Sequence, residues 1–146
     1  RASGVNRDTR ASHPSQVYQE LNHQPVVKHH GDVYSRVQIR REEIVQSIGY
    51  IRKLIAEITA DEILDTDIKS VSMGANLFTL SLVEGWRGEI CHCAITGING
   101  ELKLYKIKDP SFHNWLALGL AVRNNEISDF PICNKSFNLS YSGHDL

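Results

Sequence analysis

From Val33 onward, Val33, Val37, Ile44, Ile48, Ile51, Ile55 and Ile58 recur at steps of three, four or seven. That spacing puts them on one face of an α-helix and nowhere else in regular structure. A long amphipathic helix is therefore the element around which this chain must be built. Asp32 stands where an N-cap is needed. Arg36, Arg40, Arg41, Glu42, Glu43, Arg52 and Lys53 fall largely off the stripe, and this charge run is expected to be a solvated helix face rather than a binding patch.

Residues 1–31 are polar, carry Pro14 and Pro25, and show neither helical nor strand periodicity. They are expected to form an extended arm lying on something outside the segment, followed by a C-terminal unit over 32–146. His13, His23, His29 and His30 fall in that arm and are expected to be exposed. Residues 59–83 read as loop with one short helical turn. Glu89 to Thr96 and Glu101 to Ile107 flank Gly97-Ile98-Asn99-Gly100, and Asn-Gly between two such runs is a hairpin signal. Asp109-Pro110-Ser111 opens a short, well-buried helix through Phe112 to Val122, and Asp129 before Phe130-Pro131 opens another. The fold class expected is an α-rich α+β: one long helix, an antiparallel hairpin and short carboxy-terminal helices.

Lys and Arg total 16 against 17 Asp and Glu, so no long-range field favours nucleic acid or anionic lipid. Apolar runs such as Trp115 to Val122 are far short of the ~20 residues that span a bilayer, so membrane association is expected through partner subunits. Three cysteines are too few for a disulfide framework and fit a reducing, cytoplasmic setting. The opening Arg1-Ala2-Ser3-Gly4 has no signal character and reads as the continuation of a longer polypeptide.

Cys91-His92-Cys93 invites a metal reading, but alternate strand residues face opposite sides, and no second pair supports a zinc site. Buried thiols are expected instead, with Cys133 alone. His113 is expected to be a hydrogen-bonded core or interface residue. In Glu84-Gly85-Trp86-Arg87-Gly88-Glu89, one arginine lies between two carboxylates just before a strand. Either the carboxylates fix Arg87 so that it projects into a cleft, or the three form an internal ion pair bracing the hairpin.

Arg1 to Gly4 with Arg7, Asp8 and Arg10, then Gly31-Asp32 with Arg36, Arg40 and Glu43, then Glu84 to Glu89 and Asp109 to Asn114, resemble in order the carboxy-terminal part of one superfamily. It is that of the nickel-iron hydrogenase large subunit and the related 49-kDa-type subunit of respiratory complex I. Asp109 to Trp115 and Pro131 to Asn138 look closest to energy-converting hydrogenase relatives of the formate hydrogenlyase type. The resemblance implies a hydrogenase large subunit-like fold, with Glu84, Arg87, Glu89 and Asn138 beside a cavity. Ser140 and Gly143 fall where hydrogenases carry nickel-binding cysteines, and a hydroxyl and a bare backbone are poor ligands for nickel.

The function implied is that of a part, not catalytic by itself, of a nickel-free, complex-I-like subunit. That subunit would help form the electron-transfer and quinone cavity of an NADH:quinone oxidoreductase or hydrogenase-related complex. No cofactor is expected on the segment itself; quinone, a partner-subunit iron-sulfur cluster and NAD through other subunits are implied for the complex. Expected partners are the preceding part of the same subunit, a small iron-sulfur subunit and membrane subunits, with no nucleic acid. The expected location is peripheral, on the cytoplasmic side of the inner membrane. The alternatives are a functional nickel-iron hydrogenase large subunit and a stand-alone binding module.

Overall fold

The computed structural model describes residues 1–58 and 72–144. Two short helices, α1 (Thr9–Ser12) and α2 (Gln16–Leu21), precede the long helix α3 (Val33–Glu57). Three strands follow, β1 (Phe78–Gly85), β2 (Gly88–Thr96) and β3 (Leu102–Lys108), then α4 (Ser111–Ala121) and α5 (Phe130–Phe137). Short 3-10 turns occupy Ile127–Asp129 and Ser142–His144. The α-rich α+β class is therefore correct.

Asp32 caps α3 as expected, its carboxylate accepting the Ser35 N–H at 2.7 Å. The faces of α3 are the reverse of a conventional amphipathic helix. Ser35 and Ile39 are buried, whereas Val37, Ile44, Ile48, Ile51 and Ile55 are exposed. Arg41, Arg52 and Lys53 are exposed, in line with the solvated-face reading, but Arg36, Arg40 and Glu43 point inward and are half-buried.

The sheet is an antiparallel meander, β1-β2-β3. The β2–β3 hairpin forms where Asn-Gly signals it, but with a different turn. Gly100 N–H donates to the Gly97 carbonyl at 3.1 Å, Gly100 alone of the turn takes a positive φ (+79°), and the register shifts between Ile95 and Thr96. That is a type I turn closed by a left-handed glycine, the bulged hairpin loop. Strand β1 occupies 78–85, where loop was expected. Alternation in Phe78-Thr79-Leu80-Ser81-Leu82 is the signal for it. The short helical turn expected in 59–83 is absent from 72–83, and 59–71 lie outside the described residues.

Residues 1–31 close back on this chain. Gly4 N–H donates to the Lys28 carbonyl at 2.7 Å, Lys28 N–H to Arg1 at 3.1 Å and Gly31 N–H to Ala2 at 2.8 Å. The segment so clamped carries Asp8, Thr9, His23 and Val26 into the interior. His13, His29 and His30 are exposed, but His23 is not. Helix α4 starts at Ser111, with Asp109 accepting its N–H at 2.7 Å. It is not well buried: Ser111 and Leu118 face inward while Phe112, Leu116 and Leu120 are exposed.

Among the described residues, the buried apolar side chains are Val26, Ile39, Leu118 and Cys133, outnumbered by buried polar ones. Buried polar groups are tolerable only when paired, and most of these are; Thr9 Oγ1 is the exception, buried without a hydrogen-bond partner among the described residues. Ser136 Oγ accepts from Arg36 Nε at 2.8 Å and donates to the Cys133 carbonyl at 2.5 Å. Thr96 Oγ1 accepts from Leu77 N at 2.9 Å and donates to the Gly74 carbonyl at 2.6 Å. Ser111 Oγ accepts from Ser140 N at 3.1 Å.

Candidate functional site

The β1–β2 hairpin turns through Trp86 and Arg87, with Gly85 opposite Gly88 and Glu84 opposite Glu89. Two carboxylates facing each other across a pair of strands repel unless each has its own cation. Glu84 takes Arg1 (2.7 Å), and Glu89 takes Arg7 (3.0 Å) and Lys108 (3.4 Å). These cations hold the Glu89 carboxyl below its ordinary range against the opposing effect of burial. The two carboxylates therefore do not fix Arg87 and form no ion pair with it among the described residues, since Glu84 is taken by Arg1 and Glu89 by Arg7 and Lys108. Arg87 instead donates through Nε to the main-chain carbonyl of Asn138.

Glycine at 88 lets this turn approach α4. At φ +128° a side chain there is strained, and its Cβ would meet Pro110 at 3.3 Å. Asn114 donates to the Arg87 carbonyl at 3.2 Å, fixing the turn against α4.

Behind Glu84 lies a buried ionic network. Asp8 is only 2% exposed and is gripped by Arg10 through both oxygens (2.9 and 2.7 Å), by Arg1 (3.0 Å) and by His23 (3.1 Å). Arg1 and Arg10 also share Glu43, at 2.8 and 2.7 Å. His23 passes its other ring nitrogen to the Tyr50 hydroxyl at 3.0 Å. Burial alone would raise the Asp8 pKa, but hydrogen bonds from Arg10 and His23 and the charges of Arg1 and Arg10 bring it down to about 2.

Between α3, the Trp86–Arg87 turn and α4 opens a cleft of about 680 Å³. Glu84, Arg87 and Glu89 line it; Asn138 does not, and takes part only through its carbonyl. Three of the lining arginines converge on the end of α5. Arg36 bonds Ser136 Oγ, Arg40 the Phe137 carbonyl at 3.2 Å and Arg87 the Asn138 carbonyl. A helix end carries only about half a negative charge, so three guanidiniums are far from neutralised there. Burial, the main cause, lowers the pKa of both Arg36 and Arg40, and the charges of Arg36 and Arg87 press the same way on Arg40.

His113 is at the rim of this cleft, exposed rather than in the core. Its imidazole is biased to the neutral form, first by desolvation and then by Lys108 and Arg7. Among the described residues it makes no hydrogen bond.

Ser140 and Gly143 belong to a separate turn against α4. Gly143 N–H donates to Ser140 Oγ at 3.0 Å, and Trp115 Nε1 donates to the Ser140 carbonyl at 3.4 Å. A Cβ at Gly143 would lie 2.6 Å from Cγ of Asp109. The position therefore lacks a thiolate, and a side chain there would have to displace the Asp109 carboxyl. Among the described residues no three His, Cys, Asp or Glu side chains gather as a metal-holding group, and the three cysteines are free, Cys133 buried and Cys91 and Cys93 half-buried.

Sequence reasoning from periodicity alone did not find Arg36, Arg40 and Glu43 as site residues. They repeat at i, i+4 and i+7, the same helical spacing as an apolar stripe, and that polar periodicity was the available signal. Arg1, Asp8, Arg10 and His23 come together only through folding of 1–31.

The family model for the respiratory-chain NADH dehydrogenase, 49 Kd subunit, matches residues 1–81, and the chain belongs to this family. It is 30% identical over 158 residues to a subunit of the NADH-quinone oxidoreductase of Protochlamydia amoebophila (strain UWE25), covering 90% of this chain and 39% of that protein. It is 29% identical over 145 residues to formate hydrogenlyase subunit 5 of Escherichia coli (strain K12), covering 99% of this chain and 25% of that protein. Its fold matches a chain in the structure of the membrane-bound sulfane sulfur reductase, an archaeal respiratory membrane complex. There the TM-score is 0.84 at 24% identity, with 100% of this chain and 41% of the other covered. The chain thus spans between a quarter and about two fifths of the proteins it matches. The hydrogenase and complex I resemblance read from the sequence holds. No helix among the described residues is long and apolar enough to cross a membrane.

Proposed function

We propose that this chain is part of a nickel-free, complex-I-like subunit of a membrane-associated oxidoreductase, in which it helps line the cavity where electrons reach a quinone. The observation that carries the nickel-free half is the Ser140–Gly143 turn. Its two ligand positions offer a hydroxyl already engaged by a main-chain N–H and a glycine closed off by Asp109, neither of which is the soft anionic donor that a nickel-iron centre needs. The cavity half is supported by the cleft and by the relatives named for NADH-quinone oxidoreductase.

The part this chain plays there is electrostatic. Arg40 and Arg87 offer fixed positive charge in a half-enclosed site, which favours any headgroup on which negative charge develops. The Phe137 and Asn138 carbonyls at the end of α5 hold the two guanidiniums in place, Asn114 holds the main chain of Arg87, and the Arg1–Asp8–Arg10–Glu43 network fixes the floor. The exposed faces of α3 and α4 are docking surfaces for the rest of the subunit, a small iron-sulfur subunit and membrane subunits. The assembly lies peripherally on the cytoplasmic face, with NAD entering only through other subunits.

The test is metal analysis and gas measurement on the full-length subunit purified with its complex. Nickel well below one atom per subunit, no dihydrogen evolution and quinone-dependent oxidation of a donor are expected. Stoichiometric nickel, or hydrogen evolution at hydrogenase rates, would make the protein a functional hydrogenase instead.

A further inference from the structure

We propose that the cleft binds a small organic carboxylate, its anionic head held by Arg40 and Arg87 and its apolar body against Trp86 and Leu120. The inference extends the reading of this cleft as a ligand cavity and gives that ligand a charge. Five arginines line the cleft against three carboxylates, Glu43, Glu84 and Glu89, in a chain whose net charge is −1. The carboxylates are committed to Arg1, Arg7, Arg10 and Lys108. The local positive excess therefore resides on Arg36, Arg40 and Arg87.

Donor accounting separates these three. Arg36 has all three of its nitrogens engaged, reaching Ser136 Oγ, the Gly31 carbonyl and, at 3.8 Å, Cys133 Sγ. Arg40 uses one nitrogen, Nη2, and Arg87 uses only Nε. Among the described residues the remaining guanidinium nitrogens have no acceptor. A guanidinium is a planar fork of five donors suited to two oxygens of one carboxylate, and two half-used forks border this cleft. The Arg40 guanidinium also lies 5.5 Å from the centroid of the Trp86 ring, so an aromatic wall adjoins the cationic one.

The volume discriminates between ligands. About 680 Å³ lies within the range that encloses organic molecules and far exceeds what one inorganic anion fills. The lining is mixed, with Ile39, Trp86, Pro110, Leu120 and Phe137 beside the arginines. That chemistry suits an anion with an apolar body.

The experiment is isothermal titration of the full-length subunit in its complex with 2-naphthoate and with its uncharged isostere 2-naphthamide. Saturable naphthoate binding is expected, with naphthamide at least about tenfold weaker, since a charge-assisted bond to a desolvated fork contributes at least that much. Arg87→Gln should weaken naphthoate about tenfold, and Arg87→Lys, which keeps the charge but not the fork, should weaken it less. Arg40→Gln should act like Arg87→Gln; because Arg40 also caps α5, circular dichroism must first show it folded, and the Arg87 pair decides the matter if it is not. Equal binding of the two probes, binding unchanged in the Arg87 variants, or no naphthoate binding because a carboxylate elsewhere in the subunit already fills the site would overturn the inference. Nickel content of the same sample is read separately, so failure here is distinct from failure of the nickel-free reading.

Discussion

Asp8 shows how one side chain can decide the stability of this segment. Its carboxyl is held at a pKa of about 2, from an ordinary 3.8, so the folded state prefers the ionised form more strongly than the unfolded chain does. A depressed acid contributes stability that is complete above its unfolded pKa and lost as the pH falls through its folded one. The contribution is about 2 kcal/mol, present at pH 6, declining below about pH 4 and gone near pH 1. Denaturant unfolding as a function of pH should show that decline in the native protein and not in Asp8→Asn. The variant should itself lose about 3 kcal/mol at neutral pH, because Arg1 and Arg10 keep buried charges without their main partner. Gly143 makes the opposite kind of demand, for absence. In Gly143→Ala the new methyl would displace the Asp109 carboxyl from the Ser111 N–H that opens α4, and thermal unfolding should register a loss of about 1–3 kcal/mol.

At the scale of elements, legibility followed the kind of signal involved. Starts and turns were readable because they are local: Asp32 before α3, Asp109-Pro110 before α4, Phe130-Pro131 at the start of α5 and Asn-Gly between β2 and β3 each act within a few residues. The orientation of α3 was not readable from its own residues, because it depends on what lies beside it. Arg36, Arg40 and Glu43 face inward because α5 presents carbonyls and the 1–31 segment presents arginines. Of the candidate site, Glu84, Arg87 and Glu89 were legible as a group around one turn, but their pairing was not, since Arg1 and Arg7 lie about 80 positions away. The β2–β3 turn gives the sharpest test at this scale. Gly100 combines φ +79° with a position where a Cβ would stand 2.3 Å from the Met73 carbonyl oxygen, a backbone atom with no rotamer to yield. Gly100→Ala should therefore cost about 2 kcal/mol, strain and clash together, seen as a lowered melting temperature. Asn99→Ala, at negative φ, should be nearly neutral.

For the molecule as a whole, the balance of buried and exposed apolar groups sets what the chain can do alone. A 146-residue domain ordinarily hides about two thirds of its unfolded surface around an apolar core. Here the interior among the described residues is mostly paired polar groups, and Ile44, Ile48, Ile51 and Ile55 form an uncovered stripe along α3, with Leu116 on α4 exposed to 73%. Each such side chain, already partly covered, forgoes only a share of the roughly 1.5–3 kcal/mol that full burial contributes, and contiguous apolar patches of this kind are uncommon on monomers that act alone. The chain prepared by itself should accordingly bind a hydrophobic dye strongly and self-associate as its concentration rises. Replacing Ile44 and Ile48 together by Glu should reduce dye binding several-fold while leaving helix content unchanged, because neither side chain is part of the interior. The intact subunit, with its other parts in place, should bind far less dye per molecule than this chain. A monomeric chain that ignores the dye and unfolds in one sharp transition would instead favour a self-sufficient binding module, since the polar interior would then suffice to hold the fold.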